Sequence, residues 1–161
     1  MKVEAGQQAP DFILYDSDKN IVTLNELRGK NIVLLFFPFA FTSVCTKELC
    51  SVRDNIGDYE KLNAKVYGIS VDSHYTLARY KVDQNLNFTL LSDFNKEVSA
   101  SYGSIYEKFG LGMRGVSKRS AFVIDKLGII RYAEVLDNAG ETPNFDNIQA
   151  ALKASTWQPA M

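Results

Sequence analysis

The run Asn31-Ile32-Val33-Leu34-Leu35-Phe36-Phe37 decides the fold. It is continuous and apolar, the pattern of a central strand buried on both faces rather than one that alternates between core and water. Downstream, Val44, Leu49, Val52, Ile56, Tyr59 and Leu62 recur at spacings of three to five among charged residues. That spacing predicts an amphipathic helix from Thr42 to about Leu62, despite Gly57. Lys65 to Asp72, KVYGISVD, reads as a second buried strand. Strand, helix and strand in that order form a βαβ unit with a right-handed crossover where the strands are parallel neighbours, so the class is α/β.

Upstream, Phe12–Tyr15 and Ile21–Leu24 flank the turn-rich DSDKN and predict a hairpin. Further along, Ser73–Asp83 reads as a serine-capped helix, Leu90 and Leu91 as a short strand, and Asn95–Tyr102 as another helix. Ala121–Ile124 and Ile129–Val135, split by the turn Asp125-Lys126-Leu127-Gly128, form a second hairpin, and Asn144–Ala154 after Pro143 closes the chain as a helix. No repeat or linker interrupts this order, so residues 1–161 are expected to form one domain. A central mixed sheet flanked by helices is the outline of a thioredoxin-like fold.

Eighteen basic and nineteen acidic side chains leave a net charge of -1, which offers nucleic acid or an anionic membrane no bulk attraction. The most apolar stretch, Ile32 to Phe41, contains Pro38 and falls short of the roughly 18 residues a bilayer span needs. The N-terminal MKVEAGQQAPDF has neither an apolar centre nor arginines, so a cytoplasmic location is expected. Two cysteines, Cys45 and Cys50, and one histidine, His74, are too few for a closed Cys/His zinc site. No metal or other cofactor is implied. In a reducing compartment the cysteine pair suggests thiol chemistry, or none.

Pro38 to Cys50, PFAFTSVCTKELC, lies where a buried strand ends and a long helix begins. There the helix offers unpaired N–H groups and the positive end of its dipole to an anion. A thiolate at Cys45 is favoured in that position, and the backbone N–H groups near Val44 and Cys45 add fixed donors. The alternative is that Cys45 is a small buried hydrophobe.

The pattern P-x-x-x-T-x-x-C, met as Pro38, Thr42 and Cys45 after an apolar strand and continued by Thr46-x-Glu48, resembles the active-site signature of the peroxiredoxins. Lys118 to Asp125 is similar to that family's later strand, with Arg119 in the place of its active-site arginine. LLSDF at Leu90 to Phe94 and SYG at Ser101 to Gly103 match in order and spacing, so the likeness covers nearly the whole chain. The stretch from Phe37 to Thr42, the hairpin Asp125 to Glu134 and the ending from Asn138 resemble the alkyl hydroperoxide reductase E type. Cys50, five residues after Cys45, instead resembles the Q type, or bacterioferritin comigratory protein, whose second cysteine resolves the first.

The resemblance implies a thiol-dependent peroxidase that reduces hydrogen peroxide and organic hydroperoxides through a Cys45 sulfenic acid. Recycling by a thioredoxin- or glutaredoxin-type reductant and assembly as a homodimer are family expectations. Arg119 would hold the thiolate and polarise the peroxide bond, the alternative being a solvated charge at a strand end. Thr42 would accept a backbone bond as the helix cap and donate to thiolate or peroxide. Pro38 would shape a cramped pocket or simply end the strand.

Glu48 either orients Arg119 or a water, as the resemblance implies, or complements the helix dipole. Arg53 is expected in a surface pair with Asp54 or Glu48, the alternative being an approach to the pocket, and His74 at a helix start or on the surface without a chemical role. Phe36, Phe37, Phe39 and Phe41 read as core or pocket wall.

Resolution by Cys50 meets a geometric obstacle. Five residues apart on an ideal helix, the two Cα atoms stand about 8 to 9 Å apart, whereas a disulfide needs less than about 7 Å. A Cys45–Cys50 bond therefore demands local unwinding, and the alternative is that Cys50 is structural in a one-cysteine peroxidase. Two other readings remain on the same fold. A thiol-disulfide oxidoreductase relies on the closer C-x-x-C spacing, and a redox sensor would oxidise without turnover.

Overall fold

The computed structural model describes residues 3–156. The ends of the predicted domain, residues 1–2 and 157–161, lie outside the described residues. Asn31–Phe36 is strand β3, buried at every position. Its side chains divide by parity: Val33, Leu35 and then Phe37 enter one core, Ile32, Leu34 and Phe36 the other. This period of two explains why the run is apolar from Ile32 to Phe37, since each face of the strand meets its own layer.

The hairpin β1 (Ile13–Asp16) and β2 (Ile21–Thr23), β4 (Ala64–Ser70), β5 (Thr89–Ser92), β8 (Ser120–Ile124) and β9 (Ile130–Val135) complete a seven-stranded sheet in the order β2-β1-β5-β4-β3-β8-β9. The β3–β4 and β4–β5 pairs are parallel; β1–β2, β1–β5, β3–β8 and β8–β9 are antiparallel. The sheet is therefore mixed, as the sequence predicts, and β3 is interior.

Gly68 in β4 has a local reason. A Cβ there would stand 2.8 Å from Leu90 Cδ2 and 3.3 Å from the Phe37 ring, so the strand can pass Phe37 only without a side chain.

One core joins β3 to helix α1 (Ser43–Asp54) and helix α3 (His74–Asp83), with Ile148 and Leu152 of α5 (Phe145–Thr156). The opposite core gathers Phe12, Phe36, Tyr102 and Phe122, with ring centroids of Phe36, Tyr102 and Phe122 5.2–5.8 Å apart.

The long predicted helix is two helices. α1 ends at Asp54, and α2 (Ile56–Glu60) starts after Asn55, whose backbone leaves the helical region and whose Nδ2 donates to the Ser51 carbonyl. A side chain that competes for backbone acceptors, two residues before Gly57, breaks a helix that hydrophobic spacing alone would continue. Ser73 caps α3 as predicted, accepting from the Thr76 N–H at 3.2 Å.

Helix α4 is shorter than its expected span, Glu97–Ser101, and starts behind a left-handed Lys96. The Asp93 carboxylate takes its free N–H groups at Val98 and Ser99. The pair β6 (Ile105–Tyr106) and β7 (Val116–Ser117) has only two residues in each strand, too few to register as periodicity. Among the described residues no helix is long and apolar enough to cross a membrane.

Candidate active site

The chain leaves β3 at Phe37, whose N–H still bonds to Ile69 O at 2.9 Å, and passes through buried Pro38 toward α1. Thr42 occupies the N-cap position with extended backbone, and its carbonyl accepts from Thr46 N–H. Its side chain does not cap the helix, which corrects the expected backbone-accepting role. The hydroxyl instead donates to Phe39 O at 2.8 Å, within reach because the loop folds back on itself.

Cys45 is the third residue of α1 and 1% exposed. It stands in the first turn, where N–H groups have no intrahelical acceptor. Val44 beside it is half-buried.

Arg119, between β7 and β8, is also 1% exposed, so it is no solvated strand-end charge. Its guanidinium is divided among three acceptors. Nη2 donates to Cys45 Sγ at 3.2 Å, Nη1 to Glu48 Oε1 at 2.7 Å, and Nε to Ala139 O at 2.9 Å. The planar fork suits this work, since three directions are fixed by one rigid group. Burial opposes its charge, while Glu48 and Cys45 beside it hold its pKa above the ordinary arginine value.

Glu48 follows Cys45 by three residues, one helical turn on, and faces the same guanidinium. Its geometry selects the orienting role over simple dipole complementarity. Burial pushes its carboxyl up from 4.5 to about 7, a rise that the attraction to Arg119 reduces but does not cancel. Oε2 has no hydrogen-bond partner among the described residues, which is part of the same desolvation.

This shift carries a sign. Between about pH 4.5 and 7 the folded protein keeps a proton that the unfolded chain has released. The contribution to stability is therefore complete below 4.5 and lost as pH rises through 7. Glu48→Gln should flatten that slope in urea midpoints measured from about pH 4.5 to 8; an unchanged slope would place its origin elsewhere.

Cys50 is not gathered with these residues. It is half-buried on α1, with Sγ 3.5 Å from Gln84 Oε1 at the end of α3. It is one rung of a ladder that joins α1 to α3 and to the chain just beyond the end of α3; the two helices follow parallel strands. Thr46 Oγ1 meets Tyr80 OH at 2.8 Å, Arg53 Nη1 donates to Gln84 O at 2.6 Å, and Asn87 Nδ2 donates to Arg53 O at 3.2 Å. Both cysteines are free thiols, and α1 is continuous between them.

Arg53 also pairs with Asp54 at 2.9 Å, the surface role expected of it. His74 stacks on Tyr75 with centroids 3.9 Å apart. Phe36 and Phe37 are core, Phe39 packs edge-on to Phe109, and Phe41 is half-exposed against Tyr80. Among the described residues no three His, Cys, Asp or Glu side chains converge on a metal position.

Sequence reading missed the Ala139 carbonyl, Tyr80 and Asp72, which accepts the Ala40 N–H in the loop before α1. Each acts across twenty or more positions, and no local pattern marks such a partner.

A buried cysteine at a helix start, bonded by a buried arginine at the edge of a thioredoxin-like sheet, defines a thiol-based redox enzyme. The comparisons specify which kind. The AhpC/TSA family model matches residues 5–133, and the chain belongs to that family. It is 40% identical over 136 residues to alkyl hydroperoxide reductase E of Mycobacterium tuberculosis, covering 83% of this chain and 86% of the relative. It is 39% identical over 132 residues to the peroxiredoxin bcp of Coxiella burnetii, covering 81% and 87%.

The crystal structure of peroxidoxin BcpB from Mycobacterium tuberculosis superposes with a TM-score of 0.82 at 29% identity, over 94% of this chain and 97% of that one. Relatives named for both subtypes thus stand beside a chain that resembles both. The protein is a thiol-dependent peroxidase.

Proposed function

We propose that Cys45 is the thiol that attacks the hydroperoxide and that Cys50 resolves the product. The observation that carries this reading is the 3.2 Å contact from Arg119 Nη2 to Cys45 Sγ inside the first turn of α1. The Cys45 thiolate attacks the terminal oxygen of ROOH; the S–O bond forms as the O–O bond breaks. RO⁻ departs with the electron pair and takes a proton, leaving Cys45 as the sulfenic acid. Arg119 supplies donors, already oriented by Glu48 and Ala139 O, where charge develops. The Thr42 hydroxyl spends its proton on Phe39 O, so its oxygen offers lone pairs to the O–H of the substrate.

The Cys50 thiol then attacks the Cys45 sulfenic acid, forming the disulfide and releasing water. A thioredoxin- or glutaredoxin-type dithiol reduces that disulfide. Hydrogen peroxide and organic hydroperoxides are the substrates. The reading extends to one domain acting in the cytoplasm as a homodimer.

One equivalent of peroxide should give a Cys45–Cys50 bond by non-reducing peptide mapping, with loss of helical circular dichroism, because intact α1 holds the two cysteines apart. Cys50→Ser should still undergo the first oxidation but accumulate sulfenic acid and pass more readily to the sulfinic form. A stable sulfenate in the parent protein, with no internal bond, would make Cys50 structural and the enzyme a one-cysteine peroxidase.

A further inference from the structure

Between β3 and α1 the backbone makes an unfavourable turn. Phe41 lies in the left-handed region at φ 66, which a residue with a Cβ seldom adopts, and Thr42 follows immediately in extended conformation. Such a conformation persists only where surrounding contacts over-determine it.

Among the described residues, besides the Phe39–Phe109 ring contact and the Thr42 carbonyl within α1, three contacts bear on this turn. The Thr42 hydroxyl bonds to Phe39 O, but both groups belong to the loop itself. The Phe41 ring lies 5.0 Å from that of Tyr80, a contact with little directional force. The third is directional and comes from the bend just beyond β4: Ala40 N–H donates to Asp72 Oδ2 at 2.8 Å.

Asp72 is itself held in place. The same Oδ2 accepts from the Ser70 hydroxyl at 2.7 Å, the Asp72 N–H bonds to Ser70 Oγ at 3.2 Å, and the Asp72 carbonyl accepts from Ser92 Oγ at 2.6 Å. β3 and β4 pair in parallel as far as Phe36 and Ile69. Beyond that point the loop has left the ladder, and the Asp72 carboxylate supplies the acceptor that the next strand residue no longer can.

We propose that Asp72 is a positioning residue for the peroxide reaction. Its carboxylate fixes Ala40, and through it the Phe39 carbonyl, the Thr42 oxygen and the approach to Cys45. The proposal rests on Cys45 as the attacking thiol. It separates two properties of the site: Arg119 holds the sulfur whether or not the loop is fixed, whereas the substrate is held by the loop.

The test compares Asp72→Ala and Asp72→Asn in the full chain with thiols reduced. Oxidation of Cys45 by hydrogen peroxide and alkylation of Cys45 by iodoacetamide are both followed by mass. Asp72→Ala should slow oxidation by about tenfold to hundredfold, the cost of misplacing a reactant by an ångström, with alkylation changed by less than about threefold. Asp72→Asn keeps an oxygen acceptor for Ala40 and should oxidise within about threefold of the parent. If the alanine variant does not fold, Asp72→Ser, too short to reach Ala40 yet able to pair with Ser70, should show the same split.

Unchanged oxidation, equal losses in oxidation and alkylation, or an asparagine variant as slow as the alanine one would overturn the proposal. Peroxide consumption that survives in Cys45→Ser would overturn the choice of thiol as well, an outcome separate from any result at position 72.

Discussion

Cys45→Ser should reduce peroxide consumption to the uncatalysed background while the protein remains folded. Serine nearly matches cysteine in size, and its Oγ can still accept from Arg119 Nη2, so the buried contact survives in altered form. What is lost is the polarisable sulfur nucleophile: a serine hydroxyl is far less nucleophilic near neutral pH and cannot form a sulfenic acid. The measurement is steady-state peroxide consumption with thioredoxin and its reductase, beside a thermal melt. Wild-type turnover in a folded Cys45→Ser protein would remove Cys45 from the chemistry.

The second large effect belongs to Arg119→Ala, and it has two parts. Removing a preoriented donor from the developing charge should slow peroxide attack by about 10² to 10³. The sequence alone suggests that such a variant keeps its fold largely intact. Burial changes that expectation. With Arg119 gone, Glu48 loses its cation in the interior and half-buried Ala139 loses the donor to its carbonyl, and breaking a buried pair such as Arg119–Glu48 costs about 3 to 5 kcal/mol. The two parts separate in the double variant Arg119→Ala with Glu48→Gln, which should recover part of the stability but none of the rate. Recovery of the rate in that double variant would show that Arg119 serves the fold and not the reaction.

How much of this was legible beforehand depends on the range over which each residue acts. The run from Asn31 to Phe37 announces its strand because both faces of β3 are buried, a condition written into seven consecutive side chains. Cys45 is legible for the same local reason, since its place at a helix start follows from the residues around it. Arg119 is not: it is 74 positions away, and only the resemblance to a family brings it to the site.

Glu48 could be narrowed to two roles but not decided, because a glutamate in the first turns of a helix looks the same whether it faces water or a guanidinium. Thr42 misleads because the residue type favours a cap, while the loop's own turn offers its hydroxyl a nearer partner at Phe39. Asn55 broke a helix that periodicity had joined, and no hydrophobic pattern registers a side-chain amide that takes a backbone carbonyl.

The ladder between α1 and α3 has a consequence for chain length. Thr46 with Tyr80, Cys50 with Gln84 and Asn87 with Arg53 are all 34 residues apart. A residue inserted inside α1 between Thr46 and Arg53 would turn everything beyond it by about 100° and strip the later rungs from their partners. One inserted in the turn at 61–63, after α2 and before β4, would change the arithmetic but leave every rung standing. The fold therefore divides into stretches whose length is rigid and stretches whose length is free, and the boundary follows helix ends rather than distance from Cys45.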